Sequence, residues 1–191
     1  MNAANLATMF WTIFGVVWVV TWAQTKKTQE RAPFGSRMLY GVPVLLGGYL
    51  MAADSRVLWL RPAAVLPDSA MLKTVGLLLT GAGIAFDIWA RVYLGQNWSG
   101  AVSIKVGHQL IRSGPYAWVR HPIYAGLLVA LFGTALERRK AIGFLAIALF
   151  WLGFCIKSRM EERFMRKTFG EDYVEYSRAT GGLIPRLWPY S

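Results

Sequence analysis

The segment His108-Gln-Leu-Ile-Arg-Ser-Gly-Pro-Tyr-Ala-Trp-Val-Arg-His-Pro-Ile-Tyr-Ala-Gly126 decides the fold, because it ends a polar stretch and begins an apolar helix. A second polar cluster, Lys157-Ser-Arg-Met-Glu-Glu-Arg163, follows the next apolar helix. The two clusters bracket a helical hairpin, 122–157, and therefore meet on one side of it. This arrangement predicts a cofactor site at a membrane surface.

The composition predicts an all-α integral membrane protein. Hydrophobic residues make up 55% of the 191 residues, above the roughly 45–50% that is usual for soluble domains. They occur in uncharged blocks, and a bilayer core of about 30 Å needs about 20 helical residues. We therefore predict about five transmembrane helices in a single membrane domain, 1–191. The uncharged blocks are 6–23, 38–53, 75–86, 123–136 and 141–156.

The first block could instead be a cleaved signal peptide. A signal peptide has positive residues before its apolar region and a small-residue cleavage site after it. No lysine or arginine precedes Leu6, and no such cleavage site precedes Lys26 and Lys27. These features favour a retained transmembrane helix.

The positive charge of the chain predicts its orientation rather than a nucleic-acid partner. The formal net charge is +11. With five spans, most lysines and arginines fall in 24–37, 91–120 and 157–186, which share one side of the membrane. Cytoplasmic loops carry such an excess, so we expect the N-terminus outside, the C-terminus in the cytoplasm and contact with anionic membrane lipids. A bacterial inner membrane fits this charge and the single cysteine.

The chain offers neither a metal site nor a soluble nucleotide-binding fold. One cysteine, Cys155, and two histidines at these spacings cannot assemble a zinc site. The run Thr80-Gly-Ala-Gly-Ile84 lies within an apolar block and follows no strand. It predicts a patch of small residues for close helix packing.

Residues at the start of the fourth helix are candidates for binding a ligand. Arg120 and His121 stand where free N–H groups and the positive end of the helix dipole favour an anion such as a carboxylate. Aromatic rings nearby offer faces for a purine or a sulfonium cation. These rings belong to Tyr116, Trp118 and Tyr124.

Two pairs of charged residues have both a structural and a functional interpretation. Glu161 and Glu162 are adjacent, and adjacent helical residues point about 100° apart. One glutamate can therefore face a site while the other pairs with a cation. Asp87 precedes Arg91 by four residues, so the two can pair on one helical face, although ionisable groups inside spans usually face a polar cavity.

The motif Gly-Pro-Tyr-(three residues)-Arg-His-Pro-x-Tyr-x-Gly, followed by Glu-Glu and by Phe169-Gly-Glu-Asp-Tyr-(two residues)-Tyr176, resembles the isoprenylcysteine carboxyl methyltransferase family. The wider group includes membrane phospholipid methyltransferases. The resemblance covers roughly 85–188, makes 70–191 the catalytic core, and leaves 1–69 as two generic helices.

The resemblance implies a membrane enzyme that uses S-adenosylmethionine without a Rossmann fold. A cytoplasmic C-terminal helical segment would enclose the cofactor, and a lipophilic small molecule or lipidated substrate would enter from the bilayer. Oligomeric state is left open. The implied cofactor-binding residues are His108, Leu110, Gly114, Tyr116, His121, Pro122, Tyr124, Glu161 and Glu162.

One departure from the family concerns the acceptor. Members that methylate a carboxylate tend to have a basic residue where this chain has Asp87. We expect Glu162 to orient acceptor and cofactor, and Arg159 or Arg91 to meet a negatively charged acceptor. With a phospholipid or other amine as acceptor, Glu162 or Asp87 would serve as the base. The sequence is also compatible with a membrane NADPH-dependent reductase or a non-catalytic membrane scaffold.

Overall fold

The computed structural model describes residues 3–23, 25–52 and 64–186, and within these ranges it is mostly helical. Two short strands, β1 (Thr28–Arg31) and β2 (Ser103–Lys105), form an antiparallel sheet. The helices are α1 (Ala3–Trp22), α2 (Phe34–Ala52), α3 (Ala70–Leu94), α4 (Pro122–Arg138), α5 (Ala141–Phe169) and α6 (Glu171–Ala179).

Each predicted apolar block falls on one of the helices α1 to α5, and α3 and α5 extend well beyond their blocks. The hairpin of α4 and α5 forms as expected, and Gly170 ends α5 with a positive φ of 54°. The small sheet was not predicted, since strands of three and four residues are too short to show an alternating pattern.

The prediction of a mostly helical integral membrane protein is confirmed. Within the described part of the chain, three helices are long and apolar enough to cross a membrane by length and composition. They are α1, α3 and α5. The count of five spans stays a prediction, because α4 has 17 residues, at the lower limit for a span, and α2 contains Pro43.

The polar ends of several elements meet at one end of the bundle, which we call the site end. The backbone N–H of Lys26, after α1, donates to the carbonyl of Gln96, after α3, at 3.1 Å. The Nζ of Lys157, on α5, donates to the carbonyl of Gly100 at 2.8 Å. The three basic segments predicted to share a side thus lie at the same end of the bundle.

The opposite end of the bundle is closed by the segment before α3. The backbone N–H of Val65 donates to the carbonyl of Arg139 at 2.9 Å. Asp68 forms ion pairs with Lys73 at 2.6 Å and with Arg139 at 3.4 Å. These contacts hold the start of α3 against the turn between α4 and α5.

The backbones of α3 and α4 approach each other closely along a line of small residues. A Cβ atom added to Gly83 would lie 2.5 Å from the nitrogen of Ala130 and 2.6 Å from the carbonyl oxygen of Gly126. A Cβ atom at Gly76 would lie 2.7 Å from the carbonyl oxygen of Gly133. The small-residue patch predicted for 80–84 is therefore confirmed, and membrane helices use such patches to pack closely.

A short chain of hydroxyl contacts adds to this interface. The Oγ1 atoms of Thr80 and Thr134 lie 3.3 Å apart, and the indole N–H of Trp11 donates to the hydroxyl of Thr134 at 3.1 Å. Because each hydroxyl also donates to a carbonyl of its own helix or its neighbour, all three side chains satisfy their polar groups. The chain links α1 to the α3–α4 pair.

We predict that Gly83→Ala destabilises the protein by about 1–3 kcal/mol, because a methyl group here has no room and forces a backbone shift. Gly15→Ala is the matched control, since nothing lies within 4 Å of a Cβ at that position. Thermal unfolding of both variants in detergent measures the difference. An equal melting temperature for the two variants would contradict the close approach.

Candidate active site

A cavity lies at the site end, between the end of α3, the start of α4 and the polar extension of α5. The space between its walls amounts to about 810 Å³, including the part open to the surroundings. Ligand pockets commonly span roughly 300–1,000 Å³. Seven of the predicted cofactor-binding residues line this cavity: His108, Leu110, Tyr116, His121, Pro122, Tyr124 and Glu161.

Glu161 presents its carboxylate to the cavity from α5. The hydroxyl of Tyr124 donates to its Oε1 at 2.8 Å. Its Oε2 lies 3.5 Å from the Nδ1 of His121. These partners come from the start of α4, so Glu161 fixes the base of α5 against that helix.

Glu162 points away from the cavity and toward a guanidinium group. Its Oε1 accepts hydrogen bonds from the Nε of Arg120 at 2.9 Å and from the Nε2 of His121 at 3.3 Å. The Nη2 of Arg120 also lies 2.9 Å from this oxygen. The side chains of Arg120 and Glu162 are only 14% and 18% exposed, so water screens this pair weakly.

The imidazole of His121 therefore lies between two carboxylates. Burial disfavours its charged form, but the hydrogen bonds and negative charges of Glu161 and Glu162 outweigh burial, so the pKa of His121 is raised. Its ring stacks on that of Tyr124, with centroids 5.6 Å apart, and Tyr124 stacks on Phe154 at 4.8 Å. The imidazole is held by both its nitrogens and one of its faces.

The negatively charged groups next to the start of α4 belong to the protein itself. The sequence interpretation placed an anionic ligand here, because the helix dipole favours one. The carboxylates of Glu161 and Glu162 contact side chains of this segment, and the N–H groups of Arg120 and His121 donate to carbonyls of 181 and 182 at 2.8 and 3.2 Å. An anion would therefore meet carboxylates as well as the helix end.

Arg120 ties the C-terminal segment to this cluster. Its Nη1 donates to the carbonyl oxygens of Ser177, at 2.9 Å, and Thr180. Gly181 pairs with Val119 in a parallel bridge, and a Cβ at Gly181 would overlap the carbonyl oxygen of Ile184. The segment after α6 is thus held against the residues that begin α4.

Two tyrosines of α6 complete the wall of the cavity. Tyr173 is 2% exposed, and the hydroxyl of Tyr176 donates to the carbonyl of Tyr116 at 2.6 Å. Burial raises the pKa of Tyr176 to about 12, so it remains a donor. Neither tyrosine was among the predicted cofactor-binding residues, although both belong to the motif from Phe169 to Tyr176. The spacing of three residues between the tyrosines, which puts both on one face of a helix, is the signal that could have found them.

The loop between α3 and β2 covers another side of the cavity. Asn97, Trp98 and Ser99 line it. The Nζ of Lys26 donates to the Oδ1 of Asn97 at 3.3 Å, and the Nζ of Lys157 donates to the carbonyl of Gly100. Both lysines come from other parts of the chain, so the loop is positioned by tertiary contacts.

Some predicted residues lie away from the cavity. Gly114 has a φ of 60° and lies against the ring of Tyr93. Arg159 is exposed on another face of α5, near Ile184. The expectation that Trp118 offers its ring to the cavity is wrong, because this side chain is 57% exposed and stacks on Phe86 outside.

Asp87 and Arg91 are both buried, but the ion pair between them does not form. The guanidinium group of Arg91 donates to the carbonyls of Gly95, at 3.0 Å, and Thr21, at 2.7 Å, and lies 4.3 Å from the ring centre of Trp98. Arg91 is directed along the helix end toward α1 instead. Among the described residues, the Asp87 carboxylate oxygens have no hydrogen-bond partner.

A model of the phospholipid methyltransferase family matches residues 71–172. The chain belongs to the phospholipid methyltransferase family. The matched residues include α3, α4, α5 and the whole cluster of Glu161, Glu162, Arg120 and His121. Family membership and the cavity therefore concern the same part of the molecule, while Tyr173 and Tyr176 extend it beyond the match.

Curated relatives include the human protein-S-isoprenylcysteine O-methyltransferase, 33% identical over 117 residues, which are 60% of this chain and 41% of the relative. The Saccharomyces cerevisiae protein-S-isoprenylcysteine O-methyltransferase is 33% identical over 79 residues, 41% of this chain and 33% of the relative. The cobalt-zinc-cadmium resistance protein CzcN of Cupriavidus metallidurans is 30% identical over 123 residues, 64% of this chain and 53% of the relative.

This member of the family spans between about a third and about half of the length of the curated relatives named above. Its fold is similar to that of a solved structure, the eukaryotic intramembrane Ras methyltransferase ICMT, with a TM-score of 0.53 and 21% sequence identity. The match covers 80% of this chain and 54% of that chain. In the described ranges, no group of three or more His, Cys, Asp or Glu could hold a metal ion.

We predict that Arg120→Gln destabilises the protein by about 3 kcal/mol, because it leaves the carboxylate of Glu162 buried without its main partner. The segment after α6 should also become sensitive to limited proteolysis. Arg112→Gln is the control, since its ion pair with Asp172 is longer, at 3.5 Å, and mostly exposed. Its loss should cost less than about 1 kcal/mol. Equal effects of the two substitutions would refute the anchoring role of Arg120.

The raised pKa of His121 predicts a pH-dependent stability. The charged imidazole between Glu161 and Glu162 contributes fully below its unfolded pKa of about 6.5, and this contribution is lost as pH rises through the raised folded pKa. His121→Gln cannot titrate. The melting temperature of the wild type relative to this variant should fall as pH increases from 6 to 9. A difference that does not change with pH would contradict the charged state.

Proposed function

We propose that this protein is an S-adenosylmethionine-dependent integral membrane methyltransferase that acts on a lipophilic acceptor, in the manner of the isoprenylcysteine carboxyl O-methyltransferases. The observation that carries the proposal is the cavity at the site end, with the carboxylate of Glu161 beside the rings of Tyr116 and Tyr124. It lies within a chain of the phospholipid methyltransferase family.

The lining of the cavity fits this cofactor. When bound, S-adenosylmethionine supplies a methyl group that its positive sulfonium has already activated. Glu161 offers a negative charge, and the rings of Tyr116 and Tyr124 offer faces that attract a cation. Trp98 offers a further aromatic surface for a purine. His108 also lines the cavity, whereas both ring nitrogens of His121 face Glu161 and Glu162.

The residues of this chain would contribute alignment and exclusion of water. Correct alignment of two reactants supplies up to about 7–11 kcal/mol. Glu161 is fixed by two partners from α4, while Tyr173 and Tyr176 close the cavity from α6. Glu162 would act through Arg120, which it orients at the cavity wall.

The position of Arg120 favours a methyl acceptor that carries a carboxylate. This residue lines the cavity, whereas Arg91 donates to backbone carbonyls and Arg159 lies on another face of α5. Arg120 is therefore the arginine best placed to meet a negatively charged acceptor. This assignment replaces Arg159 and Arg91 in our proposal.

A phospholipid or amine acceptor is the second candidate. The observation that favours it is Asp87, which is fully buried one helix turn from Arg91 and has carboxylate oxygens without a partner among the described residues. An amine must lose a proton before it can attack a methyl group, and Asp87 would be the base, since Glu162 is directed at Arg120. A nicotinamide-dependent reductase is less favoured, because one arginine and two histidines are the basic residues that line the cavity.

We place the site end at the cytoplasmic face of a bacterial inner membrane, with the N-terminus outside. Support comes from Lys26, Arg120, Lys157 and Lys167, which belong to the three basic segments and lie toward the same end of the bundle. Cytoplasmic segments of membrane proteins are enriched in lysine and arginine.

We expect S-adenosylhomocysteine to bind the detergent-purified protein with micromolar affinity in a calorimetric titration. His121→Ala and Glu161→Gln should each weaken binding at least tenfold, because both remove a polar group that lines the cavity. Arg159→Gln is the control and should bind as the wild type does. Failure of well-folded wild-type protein to bind would overturn the proposed cofactor, and NADPH would then be titrated.

Glu162→Gln should reduce methyl transfer at least tenfold while S-adenosylhomocysteine binding changes less than threefold, since Glu162 contacts Arg120 and not the cavity. Transfer is measured from labelled S-adenosylmethionine to a farnesylated cysteine, and in parallel to phosphatidylethanolamine. Glu171→Gln, on the exposed first turn of α6, serves as the control. Full activity of Glu162→Gln would contradict the role proposed for Glu162 in methyl transfer. Labelling of the phospholipid alone would favour the amine acceptor over the carboxylate acceptor.

A further inference from the structure

Residues 98–103, which follow α3, cover one side of the cavity, and we call them the covering segment. Val102 in this segment is fully buried and packs with Ala32 and Tyr40 on the side away from the cavity. The position of the covering segment therefore decides how far the cavity is closed. Four of its residues line the cavity: Trp98, Ser99, Ala101 and Ser103.

Lys157 on α5 holds the covering segment from behind. Its Nζ donates to the carbonyl oxygen of Gly100 at 2.8 Å. The rings of Tyr40 and Tyr124 flank the same ammonium group, with centroids 5.5 and 5.1 Å from Nζ. At these distances each ring attracts a cation. Contacts from α2, α4 and the covering segment thus fix the position of one positive charge.

This positive charge lies beside the carboxylate that faces the cavity. Lys157 precedes Glu161 by four residues on α5, so the two side chains share a face of the helix, and the charge of Lys157 attracts this carboxylate. The hydroxyl of Tyr124, whose ring lies against Nζ, donates to Glu161 at 2.8 Å. Tyr124 and Glu161 line the cavity, whereas Lys157 stands behind them.

A ligand in the cavity experiences the charges of Glu161 and Lys157 together. A cationic ligand beside Glu161 is attracted by the carboxylate and repelled by Lys157, while an uncharged ligand of similar shape experiences neither effect. Because the side chain of Lys157 is half-buried, water screens its charge only in part. The charge of Lys157 therefore lowers the affinity of the cavity for cations relative to neutral molecules.

We propose that Lys157 is a positioning residue that clamps the covering segment and makes the cavity discriminate between cationic and neutral ligands. The identity of these ligands rests on the proposed function. S-adenosylmethionine carries a positive sulfonium, and S-adenosylhomocysteine has a neutral sulfur in its place. Transfer removes the charge, because the bond between sulfur and the methyl carbon breaks and leaves its electron pair on sulfur. An electron pair of the acceptor forms the new bond to that carbon.

This discrimination has a consequence for the rate of transfer. Lys157 opposes the positive charge of the bound methyl donor, and its opposition decreases as sulfur loses that charge. An interaction that is less unfavourable in the transition state than in the bound state accelerates a reaction. Lys157 thus favours transfer through its charge, while its contact with Gly100 keeps the cavity covered.

The test compares the two ligands in calorimetric titrations of the wild type and of Lys157→Gln, whose neutral amide can still donate to the carbonyl of Gly100. The Kd of S-adenosylmethionine divided by that of S-adenosylhomocysteine should fall about fivefold in Lys157→Gln. Lys157→Arg keeps the charge and should keep the ratio of the wild type. Lys73→Gln is the control, because it removes a positive charge from the opposite end of the bundle and should leave the ratio unchanged.

Hydrogen exchange without ligand tests the clamp. The amides of 98–103 should exchange faster in Lys157→Met, whose side chain fits between the two rings but cannot donate, and Lys157→Arg should keep most of the protection. Equal exchange in Lys157→Met and the wild type would overturn the clamp.

An unchanged ratio of the two Kd values in both Lys157→Gln and Lys157→Met would overturn the discrimination and leave the proposed function intact. This holds even if both affinities fall, because a merely structural role weakens the two ligands equally. Wild-type protein that binds neither ligand would refute the proposed function and the discrimination with it, whereas the exchange measurement would still decide the clamp.

Discussion

The close approach of α3 and α4 is the constraint on which the rest of the structure depends. Gly83 and Gly126 bring the two backbones together, and side chains larger than hydrogen have no room at these positions. In a bilayer, burial of apolar surface does not drive helices together, so close van der Waals packing must do so. The contact aligns the end of α3 with the start of α4, and the cavity opens where these two ends diverge.

The cluster of charges at the site end follows from that alignment. Glu161 and Glu162 extend from α5 to the start of α4, where His121 lies between them and Arg120 binds the outer carboxylate. A buried ion pair contributes little net stability, because the cost of removing charges from water offsets their attraction. The effect of this buried ion pair is to fix the positions of the side chains in the cluster. One carboxylate is left facing the cavity, and one arginine is held between the cavity and the C-terminal segment.

The C-terminal segment has two roles, because each of its two sides faces a different part of the molecule. Tyr173 and Tyr176 close the cavity, while Ile184 lies among apolar residues on the outside of the bundle. Both positions depend on backbone contacts of Gly181 with Val119 and Arg120. The same segment therefore borders a partly polar cavity on one side and an apolar surface on the other.

The sequence by itself determined the membrane class, the approximate positions of the long helices and seven of the residues that line the cavity. These follow from local properties: uncharged blocks of helical length, glycines at helix ends, and a motif whose polar residues cluster at the ends of the hairpin. Only the tertiary structure decided that Arg91 binds backbone carbonyls instead of Asp87, that Arg159 lies on another face, and that Arg120 lines the cavity and anchors the C-terminal segment. The physical reason is that the partner of a long charged side chain is chosen by which helices pack together, and residue spacing within one helix does not contain that information.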